Sequence, residues 1–270
     1  MYWFIGITLT PIRMCSSLSL KARRAVALLV IVLPLFLLPA DMAPSAAAQH
    51  SSSSAEAPAA VVVDDFERYP PGTFPDEWVF VNRAKEALTY EETRDPGEEV
   101  VVEEEDGNQF VRVITEGEAV RYTQRNGEEF EWNLPDYPRL QWRWRAQHLP
   151  EGASERGQND TGGAVYVTFG SDWLGRPKSI KYTYSSSLPV GSVVSFGPLK
   201  VIVVDSREEP RFGRWQTVQR NVRADYRQVF GGDPPERPVS ITVWSDSDTT
   251  GDRAVVDFDD ITLLPPFRRR

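Results

Sequence analysis

Leu140-Gln141-Trp142-Arg143-Trp144-Arg145 alternates apolar with polar residues at a period of two, the pattern of a strand with one face in a core and the other turned away from it. The same alternation spreads outward from this stretch. Val165, Val167 and Phe169 are interleaved with Tyr166 and Thr168, and Ile180, Tyr182 and Tyr184 with Lys181 and Thr183. Further strands are expected at 61–67, 79–82, 100–103, 110–114, 120–123, 200–204, 217–221, 239–244 and 254–264, with short helices only at 83–90 and 223–230. The 21 prolines, some in pairs such as Pro70-Pro71 and Pro234-Pro235, interrupt any longer helix. About a dozen strands without the spacing of βαβ units predict an all-β fold, an antiparallel two-sheet β-sandwich of jelly-roll type, in one domain spanning 61–264.

The N-terminal region reads differently. Lys21, Arg23 and Arg24 precede an apolar run, Ala25–Leu38, and the small residues Ala46-Ala47-Ala48 follow. That is the layout of a secretory signal peptide, and a run of 14 residues interrupted by Pro34 falls short of the roughly 20 that span a bilayer. Residues 1–48 are therefore expected to be removed on export to the periplasm or cell exterior, with an uncleaved membrane anchor as the alternative and Met14 as an alternative start. Gln49–Ala60 reads as a flexible linker, and 265–270 as a disordered basic tail. The single cysteine, Cys15, lies in the leader, so the exported chain has no thiol for catalysis or metal binding. Residues 1–48 carry Arg13, Lys21, Arg23 and Arg24 against Asp41 alone, which leaves the remainder at a net charge of −12. Such a chain repels phosphate backbones and anionic surfaces, which excludes nucleic acid as a partner.

No nucleophile elbow, zinc-protease motif, dinucleotide fingerprint or phosphate loop occurs. His148 is the sole histidine of the strand region, with no nucleophile motif to accompany it. Among the tryptophans, Trp142, Trp144 and Trp244 fall on apolar phases and are assigned to the core. Trp173, in a polar loop, and Trp132, beside Asn133, are the candidates for an exposed surface that stacks on a ligand.

Acidic residues gather in two places. In Val255–Leu263 the apolar phase slips at Asp259-Asp260, which predicts a bulge turning Asp257, Asp259 and Asp260 to one side. The first strand supplies Asp65 and Glu67, and terminal strands of jelly rolls are commonly neighbours. Asp65, Glu67, Asp257 and Asp259 are thus candidate ligands of a structural calcium ion, against the plainer reading of a solvated acidic edge. Asp246-Ser247-Asp248-Thr249-Thr250-Gly251-Asp252 has the spacing of a calcium loop, but strand-like flanks exclude an EF-hand. Asp246 and Asp248 remain as contacts for a polar ligand or ion, or as ordinary turn chemistry.

Asn159-Asp160-Thr161-Gly162-Gly163, Arg220-Asn221-Val222, Asp225-Tyr226-Arg227, Phe230-Gly231 and the Asp246–Gly251 series together resemble an exported bacterial family, domain of unknown function 3047. The chain departs from the family pattern at Thr161 and Thr249. The resemblance implies one polar cluster of Asp160 with Arg220, Asn221 and Asp225, and conveys no activity. More distantly, Asp64–Glu67 and Asp257–Ile261 look like the ends of carbohydrate-binding jelly-roll modules that hold calcium between terminal strands. The reading that follows is an exported non-catalytic module for a glycan-like or other polar ligand. A hydrolase using paired carboxylates about 5–9.5 Å apart is the alternative, and an envelope scaffold with a broad apolar patch is a third.

Overall fold

The computed structural model describes residues 58–82, 86–157 and 160–267. The expected signal peptide lies outside them, as do 49–57 of the linker and 268–270 of the tail. The described chain runs β1 (Val61–Asp64), β2 (Phe80–Val81), β3 (Ala87–Leu88), α1 (Tyr90–Thr93), β4 (Glu98–Glu105), β5 (Asn108–Glu116), β6 (Ala119–Arg125) and β7 (Arg139–His148). It continues through β8 (Thr161–Ser171), β9 (Pro177–Ser185), β10 (Val193–Phe196), β11 (Leu199–Ser206), β12 (Gln216–Asn221), α2 (Val222–Phe230), β13 (Ser240–Asp246) and β14 (Arg253–Leu264). Among the described residues no helix is long and apolar enough to cross a membrane.

The strands form the expected sandwich. The first sheet has the order β12-β7-β14-β5-β4, with β1 paired to β14 where β5 leaves it, and the second has the order β10-β11-β9-β8-β13-β6. Trp142, Trp144, Val165, Val167, Ile180, Tyr182, Ile241, Val243, Val256 and Phe258 fill the space between them. Trp144 lies 5.2 Å from Tyr184 and 6.2 Å from Phe258, ring centre to ring centre, so the core is built largely from tilted aromatic pairs, each worth about 0.5–1.5 kcal/mol beyond its buried area.

The strand pairing departs from the expectation in one place: β9 and β11 run parallel. The chain leaving β9 passes over one position to β10 at the sheet edge, then turns through Gly197 (φ 59°) into β11, which fills the gap beside β9. In the described part of the helix expected at 83–90, Ala87–Leu88 is a strand and only Tyr90 is helical, as the start of α1. Phe80 pairs with Leu88 and Val81 with Ala87, and this ribbon outweighs the weak helical pattern of so short a stretch. The helix expected at 223–230 is present as α2, begun by Asn221, whose side chain accepts from the Ala224 amide at 3.0 Å.

The first strand stops at Asp64 rather than Glu67. Asp64 is buried, and its carboxylate accepts from Phe66 N, Arg68 Nη2, Tyr69 OH, Trp78 Nε1 and Gln124 Nε2. Phe66 takes a left-handed φ of 58° to reach the core, which ends the strand's alternation. At the other terminus the expected bulge is present: Asp260 has φ 50° and the β14–β7 register shifts between Asp259 and Thr262.

Candidate functional site on the outer face of the second sheet

Alternation along the middle strands sends Val165, Val167, Ile180, Tyr182, Ile241 and Val243 inward, so Tyr166 on β8, Lys181 on β9 and Trp244 on β13 share the outer face. Tyr166 and Trp244 pack with ring centres 5.2 Å apart, and both stay half-buried. The Lys181 ammonium lies 5.5 Å from the Tyr166 ring centre and 5.7 Å from that of Trp244, within cation–π range. Only 3% of Lys181 is exposed, yet its ammonium makes no hydrogen bond or ion pair to a described residue. Burial pulls its pKa down to about 8, partly opposed by Asp246, Glu155 and Asp160.

Those carboxylates stand at one end of the face. Asp160 precedes β8, Asp246 ends β13 and Asp248 follows it, and one oxygen from each lies within 4.8 Å of the others. Burial works to raise the Asp160 pKa, but the side-chain and backbone donors of Thr250 and Thr249 prevail and hold it below the ordinary value. The two amides donate to it at 2.7 and 3.0 Å. Asp246 has fewer donors: burial pushes it up to about 6, with Lys181 opposing and Asp248 and Asp160 adding to the rise. Glu155, from the β7–β8 connection, is buried against the same sheet and accepts from Thr183 Oγ1 at 3.1 Å and Ser185 Oγ at 2.6 Å. The Trp244 indole N–H is shielded from solvent and has no acceptor among the described residues. Thr161, the cross-strand partner of Asp246, has a hydroxyl without a partner among the described residues.

The face thus offers a mostly buried lysine whose ammonium has no acceptor among the described residues, carboxylates that accept, and an aromatic ledge beside them. A hydroxyl both accepts and donates, so a hydroxylated ligand bridging Lys181 to Asp246 satisfies both at once. The three carboxylates form an oxygen-only set of the kind that hard divalent cations take, but the neighbouring ammonium opposes a cation there.

Of the residues singled out from sequence, Asp160, Asp246 and Asp248 come together at this site. Arg220 and Asp225 do not join Asp160. They form their own bidentate pair at 2.9 and 2.6 Å, with Tyr182 OH donating to Asp225 at 2.9 Å. Asn221 caps α2, so the single cluster implied by the family resemblance is two separate arrangements. Trp173 is 89% exposed at the tip of the β8–β9 hairpin, where Asp172 fixes the turn by accepting from the Leu174 and Arg176 amides. Trp132 is buried rather than exposed, with its indole donating to the Tyr137 carbonyl at 2.8 Å. Trp244, assigned to the core, stands on the outer face.

The four expected calcium ligands do not converge: no three of them come within ligating distance of one another. Asp257 is fully buried between Arg112 and Arg145, with Gln147 donating at 2.7 Å. Two guanidiniums supply the charge that calcium was expected to bring. Asp259 accepts from Asn108 at 3.0 Å, and burial pushes it up to about 6. Asp65 Oδ1 accepts from the Glu67 amide, and Glu67 accepts from the Gln109 amide. A second acidic group, Asp95, Glu98 and Glu118, lies beside β4.

Sequence reading missed Lys181, Tyr166 and Trp244 as site residues. A signal was present in the single lysine on the polar phase of an otherwise uncharged strand, 180–184. Two hollows lie away from this face, one of about 320 Å³ along β10, β11 and β12 and one of about 570 Å³ beside β4 and β5.

No curated protein is detectably similar in sequence. Among solved structures, a family 30 carbohydrate-binding module of a Clostridium thermocellum cellulosomal cellulase aligns with a TM-score of 0.41 and 14% identity, over 78% of this chain and 99% of that one. A family 11 module of another cellulase of that organism gives 0.40 and 9%, over 80% and 99%. A xylan-binding domain from Paenibacillus barcinonensis gives 0.28 and 13%, over 64% and 85%. The family model described as protein of unknown function (DUF3047) matches residues 77–262, and the chain belongs to that family.

Proposed function

We propose that this protein is an exported, non-catalytic module that binds a glycan-like, hydroxyl-rich ligand on the outer face of the second sheet. The observation that carries the reading is the buried Lys181 ammonium, which lacks a described acceptor while facing Asp246 and Asp160 beside the Tyr166–Trp244 ledge. Sugar hydroxyls supply the acceptor and the donor, and a ring's C–H face suits the half-exposed indole. Export to the periplasm or cell exterior rests on the leader-like segment 21–48.

The test is a glycan array read with wild-type protein, Lys181→Met and Trp244→Ala, alongside a screen for released sugars. A class of glycans bound by wild type and weakened at least tenfold in both variants is the expected result. Binding undiminished in both variants, or sugar release that depends on Asp246, would overturn the reading.

A further inference from the structure

We propose that the cleft between the β10–β11 hairpin and β12 is a second binding site, separate from the outer face, for a small uncharged hydroxylated ligand of the size of one sugar ring. It lies between β12, at one end of the first sheet, and the β10–β11 hairpin, at one end of the second, and its volume is about 320 Å³, at the lower end of the range for small-molecule sites. The walls are apolar, from Val193 and Ile202 on one side and Val218 on the other, while Asp205, Gln216 and Arg211 supply the polar groups.

Asp205 is what points to a ligand. It is 2% exposed and lines the cleft without an ion-pair partner among the described residues. Its hydrogen bonds are the amide of Ser206 at 3.0 Å and a long one from Trp144 Nε1 at 3.3 Å. Burial raises its pKa against those two bonds and the field of Arg211. Tyr184 is its register partner on the parallel strand β9, so the two side chains share the inner face. The Tyr184 hydroxyl is fully buried, has no partner among the described residues and does not line the cleft, so Asp205 is the group a ligand meets. A buried carboxylate with spare lone pairs costs free energy until something donates to it. A ligand hydroxyl donates to Asp205, and the valine walls suit the C–H faces of a ring. Arg220, at the far end of the cleft, is already neutralised by Asp225, so no anionic group is called for. An amine would fit Asp205 but place a second cation beside Arg211.

The experiment is a titration of isotope-labelled protein with the methyl glycosides of glucose, galactose, mannose and xylose, followed by the Trp144 indole N–H and the backbone amides of β12. The expected result is saturable shifts of these signals with at least one glycoside. Asp205→Asn keeps the shape and removes the charge, so it should raise Kd by about tenfold or more. Gln228→Trp, on the exposed rim contributed by α2, should block entry without touching the core. Both variants are checked for wild-type melting. Trp244→Ala should leave the shifts intact, which separates this site from the outer face. The proposal is overturned if no glycoside moves these signals at tens of millimolar, or if the shifts survive both Asp205→Asn and Gln228→Trp.

Discussion

Replacing Lys181 with methionine should stabilise the protein at neutral pH, and the size of the gain follows from where the ammonium sits. Its pKa falls from an ordinary 10.5 to about 8 because burial removes water that no described acceptor replaces. At about 1.4 kcal/mol per tenfold change in proton affinity, the folded state bears a cost of about 3 kcal/mol whenever the group is charged. The unfolded chain keeps this proton up to about pH 10.5 while the folded chain releases it near 8. Between those values the unfolded state binds more protons, so stability rises with pH, and the cost is borne in full below pH 8. Methionine has similar length and no charge. Lys181→Met should therefore exceed wild type by about 2–3 kcal/mol at pH 7, a figure that already contains the opposing attraction of Asp246, and the gap should shrink by about 2 kcal/mol on going to pH 9.5. Urea unfolding at the two pH values, with unchanged slope against denaturant, measures both quantities. A variant less stable than wild type at pH 7, or a gap that does not change with pH, would refute the account of Lys181 as an uncompensated buried charge.

Arg220→Ala leaves the buried Asp225 carboxylate with Tyr182 OH as its remaining side-chain donor and should cost about 3–5 kcal/mol by chemical denaturation, while glycan binding at the outer face is unchanged. Asp257→Ala sets Arg112 against Arg145 with their shared counter-charge gone, and should likewise cost about 3–5 kcal/mol. That loss should be the same in chelator and in millimolar calcium when melting is followed by calorimetry. A calcium-dependent rise in Tm for wild type that vanishes in the variant would restore the metal reading of the terminal strands.

The period-two pattern of 140–145, 165–169 and 180–184 was enough to assign the sandwich, because alternation is a property of one strand and its two faces. The slip of phase at Asp259-Asp260 likewise disclosed the bulge, a local break in that alternation. Aspartate, threonine and glycine spacing around 246–251 marked one side of the candidate site. Tertiary structure decided the rest. Whether a polar phase faces solvent or a covered surface depends on what packs over it, so Lys181 read as an ordinary outward lysine until Glu155 and the loop carrying it were placed against the sheet. Trp244 and Trp132 exchanged roles for the same reason: an indole's exposure is set by the elements above it and not by its neighbours in sequence. Charge behaves alike. The acidic ending of the chain suggested calcium because carboxylates repel when counted along one strand, whereas the β14–β5 and β14–β7 registers bring Arg112 and Arg145 to Asp257 from 145 and 112 residues away. Strand order fixes which distant cation meets which carboxylate, and strand order is written in the packing of two sheets, not in the alternation of one.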